Sequence, residues 1–250
     1  MEPTSPPRPF CVVRGRVPAE IVARAAARFG LEEGAAALPP WVDALLLTRA
    51  DRDRLREAFG QGPFLTVELA EEDAPLAELD EWLGAPPVEP GFYLSLTTGT
   101  AYGMQCAALV CDELARRRAL PEERRPNVEL CLHEAIANAI VHGNLGISSE
   151  TKNQPQGYRL FGELLRQRLG DPEAVRRRLD IFCRWTAGSL VIAVVDQGAG
   201  FEPAPVPAET ARPEGGGKAL AGRGFVFMRA LADRVTVTDR GRCTLLQFDF

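Results

Sequence analysis

The chain has 250 residues, of which 46% are hydrophobic and 25% charged, the composition of an ordinary globular protein. Its formal net charge is −5. Because nonspecific binding to nucleic acid or to anionic membranes depends on basic patches, we expect neither as a partner.

We expect no secretory signal peptide at the start of the sequence. Met1–Phe10 is rich in proline and has no apolar core, unlike a secretory signal peptide. No run approaches the roughly 18 apolar residues that a membrane-spanning helix needs. The six cysteines include no Cys-x-x-Cys pair, and each lies in an apolar or helical context. These features predict reduced, buried thiols and a cytoplasmic protein.

Short strands and helices alternate over the first 88 residues. The predicted elements are a strand at Phe10–Val13, a helix at Ile21–Phe29, a strand at Ala44–Leu47, a helix at Asp51–Phe59, a strand at Phe64–Leu69 and a helix at Pro75–Leu83. Such alternation favours a parallel sheet. Pro86, Pro87 and Pro90 then interrupt the chain. We therefore place a domain boundary there and assign residues 1–88 to a small α/β domain.

The pattern changes over residues 89–250. The predicted elements are a strand at Phe92–Thr97, helices at Tyr102–Arg118 and Asn127–His142, helical segments at Tyr158–Leu169 and Pro172–Arg178, strands at Leu179–Trp185 and Leu190–Val195, a helix at Phe225–Ala232, and a hairpin of Arg234–Thr238 with Thr244–Phe250. Residues 197–222, dense in glycine and proline, are interpreted as a mobile loop. The order predicts an α/β fold of the α+β sandwich type, with helices on one face of a mixed sheet.

The second long helix carries the first candidate site. Glu134, Asn138 and His142 are spaced four residues apart, so their side chains project from one side. Asn138 can offer its carbonyl oxygen to a hard cation such as magnesium. Glu134 can orient or deprotonate a nucleophile near a phosphate. The alternative is an amphipathic helix with a solvated polar face.

The second candidate segment follows an apolar strand. Asp196 ends that strand, and Gly198 and Gly200 come directly after it. A carboxylate there can accept a hydrogen bond from an exocyclic amino group such as that of adenine. The glycines let the backbone approach a ligand without a Cβ clash. The alternative is an ordinary strand that ends in a glycine turn.

The third candidate segment is rich in glycine. Gly215–Gly217 and Lys218 are followed by Gly222, Arg223 and Gly224, which open a helix. Glycines at a helix start leave backbone N–H groups free for phosphate oxygens, and Lys218 or Arg223 can add positive charge. The segment is not a Walker loop, because no GxxxxGK(S/T) precedes a helix. The alternative is a flexible surface loop.

In order and flanking pattern, the three segments resemble the N, G1 and G2 boxes of the GHKL ATPases, which bind ATP and magnesium in a Bergerat-type pocket. The matching sequences are ELCLHEAIANAIVHGN, DQGAGF and GRGFVFMRALAD. The resemblance covers roughly residues 92–250. It is closest to the anti-sigma-factor serine kinases of bacterial partner-switching systems.

The resemblance implies a role for each candidate residue. Glu134 would be the general base and Asn138 the magnesium ligand. Asp196 would bind the adenine amino group, with support from the hydroxyl of Thr244. Residues that would shape the adenine turn or lie beside the triphosphate are Gly198, Gly200, Lys218, Gly222, Arg223 and Gly224. Residues 203–221 would form a lid over ATP.

Two features depart from the compact members of that family. One is an insertion at about 148–178, and the other is the amino-terminal unit. This unit faintly resembles a degenerate response-regulator receiver, in which the strand Asp43–Thr48 ends in Thr48 instead of the phosphoacceptor aspartate. The alternative is a generic small α/β interaction domain.

The resemblance implies a bacterial serine/threonine protein kinase that phosphorylates a STAS-domain antagonist protein. A sigma factor or a response regulator would be a further partner, and homodimers occur among such kinases. The alternative is an ATP-binding switch that sequesters a partner without phosphotransfer. A histidine kinase is disfavoured, because its phosphoacceptor histidine lies on a separate helix. The two histidines here, His133 and His142, both lie in the helix of Glu134.

Overall fold

The computed structural model describes residues 10–16, 41–69, 90–200 and 223–250. The predicted helices at Ile21–Phe29 and Pro75–Leu83, and most of the predicted loop at 197–222, lie outside these ranges. The described strands are β1 (Phe10–Arg16), β2 (Trp41–Thr48), β3 (Leu65–Leu69), β4 (Gly91–Thr97), β5 (Arg178–Trp185), β6 (Ser189–Asp196), β7 (Arg234–Thr238) and β8 (Cys243–Asp249). The described α-helices are α1 (Arg52–Gly60), α2 (Thr98–Tyr102), α3 (Cys106–Arg116), α4 (Arg125–Asn138), α5 (Gly157–Leu169), α6 (Pro172–Arg176) and α7 (Arg223–Leu231).

The described strands form one mixed sheet in the order β1-β2-β3-β4-β5-β6-β8-β7. Neighbours are parallel from β1 to β4 and antiparallel from β4 to β7. The parallel half agrees with the alternation of strands and helices at the start of the chain, and the antiparallel half agrees with the two hairpins. The predicted α+β sandwich is therefore confirmed.

The sheet crosses the predicted domain boundary near residue 88. β3 pairs with β4 in parallel, and Thr66 lies opposite Leu94. The division into two domains stays a prediction, but the two halves share this sheet. The four parallel strands follow one another in chain order, whereas a receiver has its strands in the order 2-1-3-4-5. The strand order therefore favours the generic α/β unit over the receiver-like interpretation.

Helices α3, α4 and α7 pack together against one face of the sheet. Strand β6 shows why: Leu190, Ile192 and Val194 are buried, and the residues between them are partly exposed. This alternation is the signature of a strand with one face in the core. Leu132 and Ile136 on α4 are buried, and so is Ile140 in the turn that follows it. Among the helices of the described ranges, none has both the length and the apolarity to cross a membrane.

The predicted helix Tyr102–Arg118 is wrong at its start, because the chain leaves the helical path at Gly103. α2 ends at Tyr102, and α3 begins only at Cys106. The N–H groups of Gly103 and Met104 both donate to the carbonyl of Ala101. Glycine is a poor helix former, which accounts for the break at this position.

The predicted helix Asn127–His142 changes its winding before its end. α4 stops at Asn138, and residues Ala139–Asn144 form a π-helical turn. The Leu145 N–H donates to the carbonyl of Ile140, five residues back, at 2.8 Å. Such turns are rare and are frequent at functional sites. Here the turn brings Gly143 and Asn144 against the end of β6.

The predicted helical segment Pro172–Arg178 is shorter than expected. α6 ends at Arg176, and Arg178 is the first residue of β5. Its backbone N–H donates to Gln197 Oε1 at 2.8 Å. Arg178 therefore belongs to the sheet, close to the end of β6.

Candidate nucleotide-binding site

The described candidate residues lie on four elements and on one turn. Glu134 and Asn138 lie on α4, Gly198 and Gly200 follow the end of β6, and Gly224 lies in the first turn of α7. Three further candidates are Asp196, the last residue of β6, Arg223, the first of α7, and Thr244 on β8. Lys218 and Gly222 lie outside the described residues. The predicted roles of these two stay predictions.

One end of the site forms where α7 begins beside α4. A Cβ atom built on Gly224 would lie less than 3.0 Å from Glu134 Oε2 and 3.5 Å from Asn138 Nδ2. Buried Met228 holds the two helices together, and its carbonyl accepts a long hydrogen bond from Cys131 Sγ at 3.9 Å. Glycine at position 224 therefore lets the start of α7 approach the carboxylate and the amide of α4.

The other end of the site is built around Asp196. Its side chain is buried, and Oδ1 accepts a hydrogen bond from the Gly198 N–H at 2.8 Å. Burial is the main influence on the pKa of the Asp196 carboxyl and raises it to about 6. The Gly198 N–H and the nearby charge of Arg242 lower this pKa, but less than burial raises it. Asp196 is therefore a desolvated acceptor, as recognition of an amino group requires.

Two glycines pack directly against this carboxylate. A Cβ atom on Gly143 would lie less than 3.0 Å from the carboxyl atoms of Asp196, and one on Gly198 would lie equally close to the Gly143 carbonyl. We call Gly143, Asp196 and Gly198 the glycine cradle. Gly200 follows with φ +76°, a conformation that favours glycine. Glycine is therefore required at positions 143 and 198 by the close contact of the π-helical turn with the end of β6.

Thr244 faces the same side of the sheet as Asp196. It lies opposite Val194 in the ladder between β6 and β8, so it is a diagonal neighbour of Asp196. Among the hydrogen bonds of the described residues, none joins Thr244 to Asp196. Its supporting role stays a prediction.

Asn144 was within the recognised motif, but the sequence did not reveal its role. Its side chain is fully buried, at 0% exposure. Nδ2 donates to Thr98 Oγ1 at 2.7 Å and to the Arg178 carbonyl at 2.8 Å, and Oδ1 accepts from the Gln197 N–H at 2.8 Å. An asparagine beside glycine usually indicates a turn or helix end, so only tertiary contacts identify this anchor.

His142 makes a structural contact. Its Nδ1 lies 2.5 Å from the carbonyl oxygen of Ile147, a distance at which Nδ1–H donates a hydrogen bond. This bond ties the π-helical turn to the chain that follows it.

The close approach at Gly224 predicts the effect of Gly224→Ala. We expect the unfolding temperature to stay within a few degrees of wild type, because alanine favours helix and the Glu134 carboxylate is the end of a flexible side chain. The displaced carboxylate should lower any reaction that depends on Glu134. Turnover and thermal unfolding measured side by side test this, and Ala230→Gly on the exposed side of α7 is the control. Unchanged turnover would contradict the placement of Glu134 at this contact.

The two ends of the site suit different parts of one elongated ligand. Glu134 and Gly143 are nine residues apart on the same helical segment, which is roughly 13 Å at ~1.5 Å per residue. Asn138 lies between them, and its side-chain carbonyl oxygen can coordinate a hard cation. The buried carboxylate of Asp196 fits the amino group of a base. The carboxylate–amide pair of Glu134 and Asn138 beside a helix start fits a triphosphate with its magnesium ion.

Comparison with known proteins gives an independent result. The family model for the histidine kinase-like ATPase domain matches residues 103–248. A search of curated proteins found no significant match. The matched range is more than half of the chain and includes α4, the glycine cradle and α7. The chain therefore belongs to the histidine kinase-like ATPase domain family, which is part of the GHKL superfamily.

Proposed function

We propose that this chain is a serine/threonine protein kinase of the anti-sigma-factor type, which transfers the γ-phosphoryl group of ATP to a hydroxyl of a STAS-domain protein. The observation that carries the proposal is the contact between Gly224 and the Glu134 carboxylate. It brings a proton acceptor to a helix start, where backbone N–H groups favour phosphate. A sigma factor or a response regulator is the proposed second partner, and a homodimer the proposed assembly.

Family membership implies ATP binding, and the site suggests how this chain does it. Asp196 accepts a hydrogen bond from the adenine amino group, and the packing of the glycine cradle fixes this carboxylate at the end of β6. Asn138 holds magnesium, which when bound neutralises charge on the phosphates. The start of α7 contributes N–H groups to the phosphate oxygens.

Glu134 is the proposed general base. It accepts the proton of the incoming serine or threonine hydroxyl as the new bond between that oxygen and the γ-phosphorus forms. The bond from the γ-phosphorus to the bridging oxygen breaks, and ADP leaves with that oxygen. Glu134 is only partly buried, so a hydroxyl on another protein can reach it.

Exposed apolar side chains near Glu134 support a protein as the phosphate acceptor. Leu130, one turn before Glu134 on α4, is 41% exposed. Val226 and Phe227, just after Gly224 on α7, are 62% and 47% exposed. Val226 and Phe227 are neighbours in the chain, and contiguous exposed apolar surface is typical of protein-binding sites. A small-molecule acceptor would not need such a surface beside the general base.

Nucleotide binding is tested first by thermal unfolding with and without Mg·ATP. A ligand at about 100 times its dissociation constant stabilises a protein by roughly 2.7 kcal/mol, which is about 5–10 °C for a chain of this size. We expect this shift in the wild type and its loss in Asn138→Ala. An equal shift in Asn138→Ala would remove Asn138 as the magnesium ligand, and no shift at millimolar ATP would remove the nucleotide site.

Phosphotransfer is tested with labelled ATP and a panel of STAS-domain proteins. Glu134→Gln should lower transfer by about 10²–10⁴-fold and leave ATP affinity unchanged. Glu129→Gln, on the same helix but directed toward Arg125, is the matched control and should transfer normally. If Glu134→Gln still controls its partner, the chain is an ATP-dependent binding switch and not a kinase.

A further inference from the structure

A buried carboxylate of the amino-terminal unit is held by the kinase half of the chain. Glu68 on β3 is 3% exposed. Its carboxylate accepts hydrogen bonds from Thr97 N at 2.8 Å, Thr97 Oγ1 at 2.9 Å and Thr100 Oγ1 at 2.6 Å, all at the junction of β4 and α2. A fourth donor, Ala50 N at 3.1 Å, comes from its own unit. Glu68 therefore joins the two halves of the sheet through neutral donors.

One route from this carboxylate toward the cradle runs through α2. Thr97 caps the start of α2, and Thr98 follows it. The fully buried Thr98 hydroxyl donates to the Arg177 carbonyl at 2.8 Å and accepts from Asn144 Nδ2 at 2.7 Å. The position of Asn144 thus depends on the β4–α2 junction that Glu68 holds.

A second connection runs through Arg178 on β5, whose side chain is buried. Its Nη1 donates to the Glu68 carbonyl at 2.7 Å, and its Nε and Nη2 donate to Ser95 Oγ at 3.0 and 2.7 Å. Its backbone N–H donates to Gln197 Oε1 at 2.8 Å. Arg178 therefore connects β3 directly with the residue that follows Asp196.

Both connections end at residues that contact or adjoin Asp196. Asn144 Oδ1 accepts from the Gln197 N–H at 2.8 Å, and Gln197 is the neighbour of Asp196 in the chain. Gly143, the neighbour of Asn144, packs against the Asp196 carboxyl. A shift of β3 therefore reaches both the strand end and the π-helical turn that enclose this carboxylate. Buried hydrogen bonds leave few alternative arrangements for such a shift.

We propose that Thr98 and Arg178 are positioning residues for adenine recognition, and that the amino-terminal unit sets the nucleotide affinity of the site through Glu68. The inference rests on the proposed role of Asp196. The amino-terminal unit is then a regulatory part of the kinase, and whatever binds or displaces β3 changes the affinity for ATP. By thermodynamic reciprocity, ATP also changes the stability of β3.

The ratio of ATP to GTP affinity shows whether Thr98 and Glu68 position the adenine site or only stabilise the fold. Thr98→Val and Glu68→Gln should each weaken ATP binding at least about fivefold and leave GTP binding nearly unchanged. Dissociation constants are measured by calorimetry, at a temperature where circular dichroism shows each variant to be folded. The matched control is Thr186→Val, which removes an exposed hydroxyl in the β5–β6 turn and should behave as wild type. A loss of stability with an unchanged ratio of ATP to GTP affinity would overturn the proposal.

Amide hydrogen exchange of the intact chain gives the reciprocal test. Mg·ATP should slow exchange in the peptide that contains Leu65–Leu69, and Thr98→Val should remove most of this protection. Equal exchange of that peptide with and without bound ATP would overturn the coupling. Failure of the wild type to bind ATP would instead remove the proposed function, so the two failures are distinguishable.

Discussion

Replacing Asp196 by asparagine is expected to abolish stabilisation by Mg·ATP and to raise the unfolding temperature of the ligand-free protein at pH 8. Burial raises the pKa of the Asp196 carboxyl from 3.8 to about 6, so the folded chain binds this proton more tightly than the unfolded chain. The carboxyl therefore contributes stability below about pH 4 that is lost as the pH rises through 6. Asparagine does not ionise, so its variant avoids this loss.

The same substitution removes the acceptor for adenine. In wild type, Oδ1 is engaged by the Gly198 N–H, and the other carboxylate oxygen is left for a ligand. In asparagine the remaining atom is an amide nitrogen, which presents a donor to the adenine amino group. We expect a loss of about 2–4 kcal/mol in binding free energy.

Thermal unfolding of both proteins between pH 4 and pH 8, with and without Mg·ATP, checks the prediction. The difference in unfolding temperature between Asp196→Asn and wild type should increase from pH 4 to pH 6 and stay constant above pH 7. Parallel curves for wild type and Asp196→Asn would show that Asp196 does not titrate as its burial indicates. A retained ATP shift would show that it does not recognise the base.

Replacing Asn144 by leucine is expected to lower the free energy of unfolding by about 3–5 kcal/mol. Leucine keeps the branched shape of the side chain, but the Gln197 N–H and the Arg178 carbonyl each lose a partner, and the buried Thr98 hydroxyl keeps only its bond to the Arg177 carbonyl. Each unsatisfied buried group is unfavourable by about 1–3 kcal/mol. The loss should therefore be among the largest for a single residue.

Urea denaturation measures this loss. Asn153→Leu, an exposed position in the short helical turn Ser149–Asn153, is the control and should change the unfolding free energy by less than about 0.5 kcal/mol. A loss below about 1 kcal/mol for Asn144→Leu would mean that water or a rearranged turn replaces its hydrogen bonds.

Local patterns predicted most of the elements. β6 could be recognised because its apolar residues alternate, and α1 because Asp51 precedes an amphipathic run and caps it. The positions at which helices end or change their winding were predicted less well. The π-helical turn after Asn138 depends on the packing of Gly143 against Asp196, which is a contact between distant parts of the chain. The pairing of β3 with β4 is equally nonlocal, and prolines between them favoured a boundary instead.

The sequence predicted which residues form the candidate site better than it predicted how they come together. Spacing alone places Glu134 and Asn138 on one side of a helix, but it does not bring Gly224 to them. That association came from the resemblance, and the contact at Gly224 agrees with it. The network of Glu68, Arg178 and Asn144 was missed because buried polar residues have no periodic signature.

The shared sheet has a consequence for any attempt to separate the two halves of the chain. Cutting the chain at residue 88 would remove β3 from its place beside β4. The buried, largely apolar strand β4 would then be an exposed edge strand, with N–H and C=O groups unpaired on that side. Uncapped edges of this kind pair with other chains and promote aggregation. We therefore expect the amino-terminal unit to protect the rest of the chain from aggregation, and a minimal fragment for expression should retain β1–β3 or carry introduced charges along β4.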